Sequence, residues 1–253
     1  MSPTQVELGC GPNKRPGFFG IDKFPAPGLD LVLDIETQRL PFPDDSVEHI
    51  YSSHMFEHLE HPGSPLHPLR EIVRVAKDGA LVEIWTPHGA SDDGLLLGHR
   101  NFYTETTWRH VCHLYPDFYL RDAPGRFAWK ETRCVIEHGV LDRLEALHIP
   151  LDFALRHLRN ITLEFGVFLE VRKADRAGAH LVQPAVKVGY SRQTVSQLVG
   201  QPPARPAPPQ PPPASPPPEP PLRYRLVDSA NDTLKAIPGA HRVVKSVLRA
   251  LTK

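Results

Sequence analysis

The 253-residue chain has few cysteines and no net charge, and these two features exclude several classes of protein. Its three cysteines, Cys10, Cys112 and Cys134, are widely spaced and form no C-x-x-C pair, so neither a disulfide framework nor a cysteine zinc site is indicated. The formal net charge is zero, whereas nucleic-acid-binding domains usually carry a basic excess. We therefore expect a protein of the reducing cytoplasm without a nucleic acid partner.

Long apolar segments are also missing. No run approaches the roughly 20 apolar residues that a membrane span requires, and the first strand is expected to begin by about Gln5, which leaves no room for an N-terminal signal. The expected location is the cytoplasm, with at most peripheral contact to the inner membrane surface.

A glycine-containing turn follows the first apolar stretch. Val6 to Gly11 reads V-E-L-G-C-G, and a second apolar stretch ends eleven residues later at Asp22. An apolar run ending in E-x-G-x-G, followed by another that ends in an acid, is typical of two parallel strands whose carboxyl ends meet over one crevice. Open α/β sheets bind nucleotides in that crevice.

The residue types around this turn favour an adenosyl amino acid as the ligand. Gly9 and Gly11 have no Cβ, so the backbone can turn sharply and approach a ligand closely. Glu7 can hold an ammonium group, and Asp22 can accept hydrogen bonds from a ribose diol. The third glycine of G-x-G-x-x-G is absent and no G-K-[ST] follows, which disfavours a phosphate-bearing ligand such as NAD. An ordinary turn after a strand is the alternative explanation of the glycines.

Strand and helix patterns alternate along the rest of the N-terminal part. Strands are predicted at residues 29–35, 47–53, 80–86, 127–138 and 163–172. Helices are predicted at residues 65–77, from 104 or 105 to about 114, and within 141–159 with a break at Pro150. The last two strands can pair antiparallel. We predict a Rossmann-like α/β fold: a seven-stranded, mostly parallel sheet with helices on both faces and an antiparallel edge strand.

The composition changes at about residue 174. Residues 201–222 contain thirteen prolines, which remove amide donors and fix φ, so an extended and disordered spacer is predicted there. We predict an α/β domain at 1–175, a linker at 176–222 and a basic amphipathic helix at 223–253. From residue 228 this tail could lie on an anionic membrane surface, dock on a partner protein or stay solvated.

Taken together, the motifs resemble those of class I S-adenosylmethionine-dependent methyltransferases. The resemblance covers roughly residues 5–173 and begins with Glu7-x-Gly9-x-Gly11, the acids that end strands two and three, and the L-P-F-x-D-x-S stretch at residues 40–46. Three later motifs are similar to small methyltransferases of bacterial glycan and surface-polysaccharide gene clusters. They are His54-x-x-Glu57-His58-Leu59, Pro87-His88 and Gly98-His99-Arg100-x-Phe102.

The resemblance implies S-adenosylmethionine as the cofactor and a role for each matching position. The short distance between the glycine turn and the next acid leaves little room for the usual helix after the first strand. The implied contacts are Glu7, Gly9 and Gly11 with the methionine part, Asp22 with the ribose, Asp34 and Ile35 with the adenine, and Ser53 and His54 beneath the methionine.

Methyl transfer to an alcohol requires an aligned acceptor and removal of its proton. An imidazole, whose ordinary pKa is about 6.5, can accept that proton. We predict His99 or His88 as the general base, because both lie in loops after strand ends; each could instead be a surface or structural histidine. The residues predicted to contact the acceptor are Glu57, His58, Arg100 and Trp85. The aromatic residues Phe102, Tyr103 and Trp108 could wall the same pocket or belong to the core.

A metal site is the less favoured explanation of the histidine-rich segment after strand four. The H-E-x-x-H order is absent, so we predict a structural or substrate role and no metal centre. A magnesium ion held by Asp92 or Asp93 beside a sugar diol is left open. The four candidate metal ligands of this segment are His54, Glu57, His58 and His61.

The predicted function is O-methylation of a sugar hydroxyl in glycan, polysaccharide or glycolipid biosynthesis. Another small acceptor, such as a phosphonate, an acid or a lipid-linked intermediate, is one alternative. A non-catalytic nucleotide-fold module that recruits partners through its tail is the other.

Overall fold

The computed structural model describes residues 3–61 and 65–197 of the chain. An eight-stranded sheet runs through this part, in the order β3-β2-β1-β4-β5-β7-β6-β8. Its strands are β1 Gln5–Leu8, β2 Phe19–Asp22, β3 Leu31–Val32, β4 Val47–Ser53, β5 Ala76–Pro87, β6 Arg126–Ile136, β7 Thr162–Arg172 and β8 Ala185–Gly189.

The sheet is mostly parallel, as predicted, but it has eight strands where we predicted seven. Strand β7 runs antiparallel to both of its neighbours, β5 and β6. It therefore lies inside the sheet, and the expectation of an antiparallel edge strand is wrong. The outermost strand on that side is β8, which pairs parallel with β6.

The helices are α1 Leu66–Val75, α2 Glu105–Arg109, α3 Pro116–Tyr119, α4 Val140–Ala146, α5 Leu151–His157 and α6 Arg192–Gln197. Thr104 caps α2 through a capping box, and a π-helical turn, His110–Leu114, continues it. The break predicted at Pro150 separates α4 from α5. Residues 9–18, between β1 and β2, form turns without a helix, because so short a connection cannot hold one.

The two faces of the sheet are covered unequally. Successive strand side chains point to opposite faces, and one face packs Ile84, Val167 and their neighbours against α1, α2, α4 and α5 in a large core. The other face carries a small cluster around Tyr51, Trp85 and Phe168, to which Val195 of α6 contributes. Of the described helices, α6 alone contributes to that second cluster. We had predicted helices on both faces, and this face has one short helix.

The sheet extends past the domain boundary predicted at residue 175. β8 and α6 both fall within 176–197, which we had assigned to a linker. The alternation of Ala185–Gly189 was too weak to predict a strand, and pairing with β6 supplies the missing stabilisation. The proline-rich stretch and the tail helix lie outside the described residues. Within those residues, none of the helices combines the length and apolarity that a bilayer crossing needs.

Candidate active site

A cavity of about 450 Å³ opens at the carboxyl ends of β1, β2 and β4. The strand order reverses between β1 and β4, and ligands of open α/β sheets bind at such a point. The cavity, which we call the first cavity, combines apolar walls with carboxylates. Its lining includes Leu8, Gly9, Ile21, Asp22, Leu33, Asp34, Ile35, Glu36, His54, Met55, His58 and Leu59.

The glycine turn has the conformation that its sequence predicts. Gly9 has φ +71° and Gly11 has φ +52°, a region that residues with a Cβ rarely adopt. A Cβ on Gly9 would lie 2.4 Å from Cβ of Met55. Gly9 therefore has to be a glycine for close packing as well as for its backbone angle.

Asp22, at the end of β2, holds the turn in place. Its Oδ2 accepts the amide of Gly11 at 2.8 Å and its Oδ1 accepts the amide of Phe24 at 2.9 Å. Each carboxylate oxygen has a second lone pair, so Asp22 can still accept hydrogen bonds from a ligand. Asp34 and Ile35 follow β3 and line the same cavity, and their contact with the adenine stays a prediction.

Three of the predicted cofactor contacts lie elsewhere. Glu7 is buried, and its Oε2 accepts the amide of Arg15 at 2.5 Å. The hydroxyl of Ser53 accepts a hydrogen bond from Arg192 Nη1 at 3.0 Å, because a guanidinium only donates. Neither of these residues, nor Gly11, lines the cavity. Glu7 and Ser53 occupy strand positions whose side chains point to the sparsely covered face of the sheet.

His54 connects the first cavity to a second one. It adopts φ +52° directly after β4, and its ring bonds Glu57 at 3.1 Å and Glu164 at 2.9 Å. The ring donates both hydrogen bonds, and they raise the pKa of His54 to about 9, the bond to Glu164 more than the bond to Glu57. The imidazole is therefore charged at neutral pH.

Glu164 is itself held by an arginine from the unpredicted helix α6. Burial raises the pKa of Glu164, but hydrogen bonds from His54 and Arg192 outweigh it and lower that pKa to about 2. Arg192 donates through Nε and Nη2 to the two carboxylate oxygens at 2.9 and 2.6 Å, and its guanidinium lies 4.4 Å from the Trp85 ring. Such a two-point ion pair fixes the orientation of the carboxylate.

The second cavity, of about 370 Å³, shares His54 and His58 with the first. Three carboxylates and two imidazoles other than His54 contribute to its wall, beside apolar side chains. Its lining residues are His54, Glu57, His58, Pro87, Asp93, Leu96, His99, Val135, Leu163 and Glu164.

His99 is available for chemistry, whereas His88 is not. His99 Nδ1 lies 3.1 Å from the carbonyl of Gly94, which can only accept, so Nδ1 carries the proton and the Nε2 lone pair is free. His88 is 4% exposed, bonds Glu105 through Nε2 and accepts the Ala90 amide at Nδ1. His88 lines neither cavity, and its predicted role as a base is not supported by this position.

The predicted acceptor contacts divide in the same way. Glu57 and His58 line the second cavity, but Trp85 and Arg100 do not. Trp85 is core on the opposite face, where its ring lies over Gly166 so closely that a Cβ there would be 2.5 Å away. Arg100 is exposed and contributes its amide to the carbonyl of Glu57. Tyr103 and Trp108 are core, and Phe102 is exposed.

Two of the four residues considered as metal ligands, His54 and His61, are held by carboxylates. His54 is engaged by two carboxylates, and His61 bonds Glu36 at 3.1 Å. Asp92, the other candidate, accepts hydrogen bonds from Arg159 and Asn160.

Sequence reasoning missed four residues of the site. Glu36 and Met55 line the first cavity, Glu164 lines the second, and Arg192 supports Glu164. The acid between the apolar residues Leu163 and Phe165, near the start of β7, was a usable signal for Glu164. Arg192 stands in a polar, weakly patterned stretch that gave none.

A family model described as a methyltransferase domain matches residues 22–84. The matched stretch contains Asp22, Asp34, Ile35 and His54 of the first cavity. No curated protein sequence matches the chain.

Several solved structures are similar to the chain at low identity. They include the methyltransferase of a Haloferax volcanii complex with the Trm112 activator (19% identity, 67% of this chain, 82% of that chain, TM-score 0.38). A second is an S-adenosylmethionine-dependent methyltransferase from Archaeoglobus fulgidus (15%, 65%, 84%, 0.42). A third is an S-adenosylmethionine-dependent methyltransferase from Thermotoga maritima (16%, 68%, 84%, 0.42).

The first cavity fits the cofactor that this family uses. Apolar walls suit an adenine ring, carboxylates at strand ends suit ribose hydroxyls and a positively charged sulfur, and the cavity lies at the point where the strand order reverses. Residues 22–84 are therefore similar to a methyltransferase domain, and the cofactor is S-adenosylmethionine.

Proposed function

We propose that this methyltransferase O-methylates a hydroxyl of a sugar in glycan, polysaccharide or glycolipid biosynthesis. The observation that carries the proposal is the second cavity, which joins the first at His54 and His58. Its wall offers carboxylates and imidazoles, which are the hydrogen-bond partners that a ligand rich in hydroxyl groups needs.

In the first cavity we assign Asp22 to the ribose and Asp34 with Ile35 to the adenine. Gly9 and His54 would border the methionine part, because they follow β1 and β4 directly and both line the first cavity. S-adenosylmethionine supplies, when bound, a methyl group on a positively charged sulfur. The chain's own contribution is to align the acceptor in line with that group and to exclude water.

We assign the general base to His99. The acceptor hydroxyl forms a bond to the methyl carbon as the carbon–sulfur bond breaks, S-adenosylhomocysteine leaves, and the hydroxyl proton passes to Nε2 of His99. Nε2 is suitable because the Nδ1–H is committed to Gly94. Glu57 and His58 would bind the neighbouring hydroxyls.

An apolar edge of the second cavity favours a sugar carried on a lipid. Leu96 lines the cavity, and it belongs to three successive exposed leucines, Leu95, Leu96 and Leu97, with exposed fractions of 48, 56 and 103%. Exposed apolar patches of this kind occur at ligand or membrane contacts. A glycolipid acceptor would place its sugar in the cavity and its chain against these leucines.

The test is methyl transfer from radiolabelled S-adenosylmethionine to a panel of acceptors. Nucleotide sugars and glycolipid extracts should be labelled, and phosphonates and small carboxylic acids should not. Labelling of the phosphonates or acids alone would replace the sugar by another acceptor. Calorimetric titration with S-adenosylhomocysteine runs beside it, and an absence of binding would leave only a non-catalytic module.

A further inference from the structure

Glu57, His58 and His99 converge on one point in the wall of the second cavity. One donor atom from each residue lies within 4.8 Å of the others. Glu57 and His58 come from the single helical turn after β4, Phe56–His58, and His99 comes from the loop after β5. The rings of His58 and His99 meet edge to face, with their centroids 4.8 Å apart.

Among the described residues, one carboxylate oxygen of Glu57, Oε2, has no hydrogen-bond partner. The side chain of Glu57 is 2% exposed, and Oε1 bonds His54 Nδ1. Oε2 is buried as well. A buried carboxylate oxygen without a partner is costly, so an unsatisfied one in a cavity wall points to a missing ligand.

His99 is oriented as metal-binding histidines usually are. Its Nδ1–H donates to the backbone carbonyl of Gly94 at 3.1 Å, which fixes the tautomer and leaves Nε2 with a free lone pair. In metal sites the second ring nitrogen almost always donates in this way to a carbonyl or a carboxylate.

We propose that Glu57, His58 and His99 bind a divalent transition-metal ion in the wall of the second cavity. Two imidazoles and one carboxylate are a donor set typical of zinc and of other first-row divalent metals, whereas magnesium prefers oxygen ligands. Three protein ligands would leave coordination positions open, and the three residues line the cavity assigned to the acceptor.

The role of this ion rests on the proposed function, since it would take oxygens of the sugar acceptor. A bound cation lowers the pKa of a hydroxyl that coordinates it. With the ion bound, His99 would be a metal ligand and the proton would pass to water in the open cavity; without the ion, His99 keeps the role of base assigned to it above. Metal binding itself needs no acceptor and can be measured without one.

The experiment is calorimetric titration of the full chain with Zn²⁺ and, separately, with Mg²⁺, in the presence of saturating S-adenosylhomocysteine. We expect one equivalent of Zn²⁺ to bind and Mg²⁺ to bind at least 10-fold more weakly. His99→Ala and Glu57→Gln should each weaken Zn²⁺ binding by 10-fold or more, in the range measured when supporting residues of metal sites are lost. His157→Ala, which removes an exposed histidine of α5, should leave it unchanged.

Retained stoichiometric Zn²⁺ affinity in both cluster variants, or equal losses in His157→Ala, would overturn the proposal. So would the absence of a one-equivalent site in the unmodified chain. Each variant is first shown to bind S-adenosylhomocysteine, which reports folding of the first cavity. If Zn²⁺ does not bind but sugars are methylated, the proposed function stands and His99 remains the base. If Zn²⁺ binds but no sugar is methylated, the metal site stands and the acceptor is of another class.

Discussion

The two cavities differ in how far apart along the chain their walls lie. The first is lined by residues between 8 and 60, with Gly98 as its one distant member. The second takes its wall from the turn after β4, the segment from Pro87 to His99, Val135 of β6 and the start of β7.

This difference explains why the strand-end residues of the first cavity could be predicted from the sequence and most of the residues of the second could not. The first is made where short strands end, and each strand end is marked locally by a glycine or an acid. The second depends on β7 entering the sheet beside β5 in antiparallel orientation, which brings Glu164 to His54 over a separation of 110 residues. Substitutions of residues that line only one cavity should therefore leave the other intact.

The largest expected effect separates catalysis from cofactor binding. His99→Ala should lower methyl transfer by about 10²- to 10⁴-fold, because it removes either the proton acceptor or a metal ligand. Affinity for S-adenosylhomocysteine should not change, since His99 does not line the first cavity. Turnover and calorimetry on the same preparation measure both, with His157→Ala as the control. Retained turnover would remove His99 from the reaction.

A smaller effect, on ligand affinity, is expected from a substitution in the first cavity. Asp22→Ala should weaken S-adenosylhomocysteine binding by about 10- to 100-fold, because hydrogen bonds to a charged group contribute about 1.5–3 kcal/mol and each 1.4 kcal/mol is a factor of ten. The measurement is calorimetric titration.

Asp152→Ala, on the exposed side of α5, is the matched control for this change. Asp22 also accepts the amides of Gly11 and Phe24, so Asp22→Asn, which keeps an acceptor for one of them, separates ligand binding from turn stability. An affinity unchanged in both variants would contradict the ribose assignment.

The smallest effect concerns stability in acid. The pKa of Glu164 is lowered from 4.5 to about 2 in the folded protein, so the stabilisation that follows from this shift is complete above about pH 4.5 and is lost as pH falls towards 2. Glu164→Gln should remove this part of the pH dependence, on the order of 1 kcal/mol after allowance for solvent screening.

Denaturant unfolding at several pH values between 3 and 6 tests the change. Glu145→Gln, at an exposed position of α4, is the control. An identical slope in Glu164→Gln and in the unmodified chain would show that the ion pair with Arg192 and His54 does not act in this way.

Several of the predicted site residues that do not line a cavity were placed in the right strand, but on the wrong face of the sheet. Glu7, Ser53 and Trp85 were each placed in the correct strand, but their side chains point to the sparsely covered face. Because the side-chain period of a strand is two, a shift of one position moves a residue to the other face. The apolar alternation of Val6 and Leu8 contained this information for Glu7.

Sequence by itself determined the α/β class, the glycine turn, the acids of the first cavity and the cofactor class. These features are local, since a positive φ favours glycine and the strand ends need polar groups that reach a ligand. Tertiary structure alone decided that β8 extends the sheet, that β7 lies inside it, and that Glu57, His58 and His99 face one cavity. These outcomes depend on pairing between segments far apart in the chain, where strand pairing and not local preference sets the partner and the register.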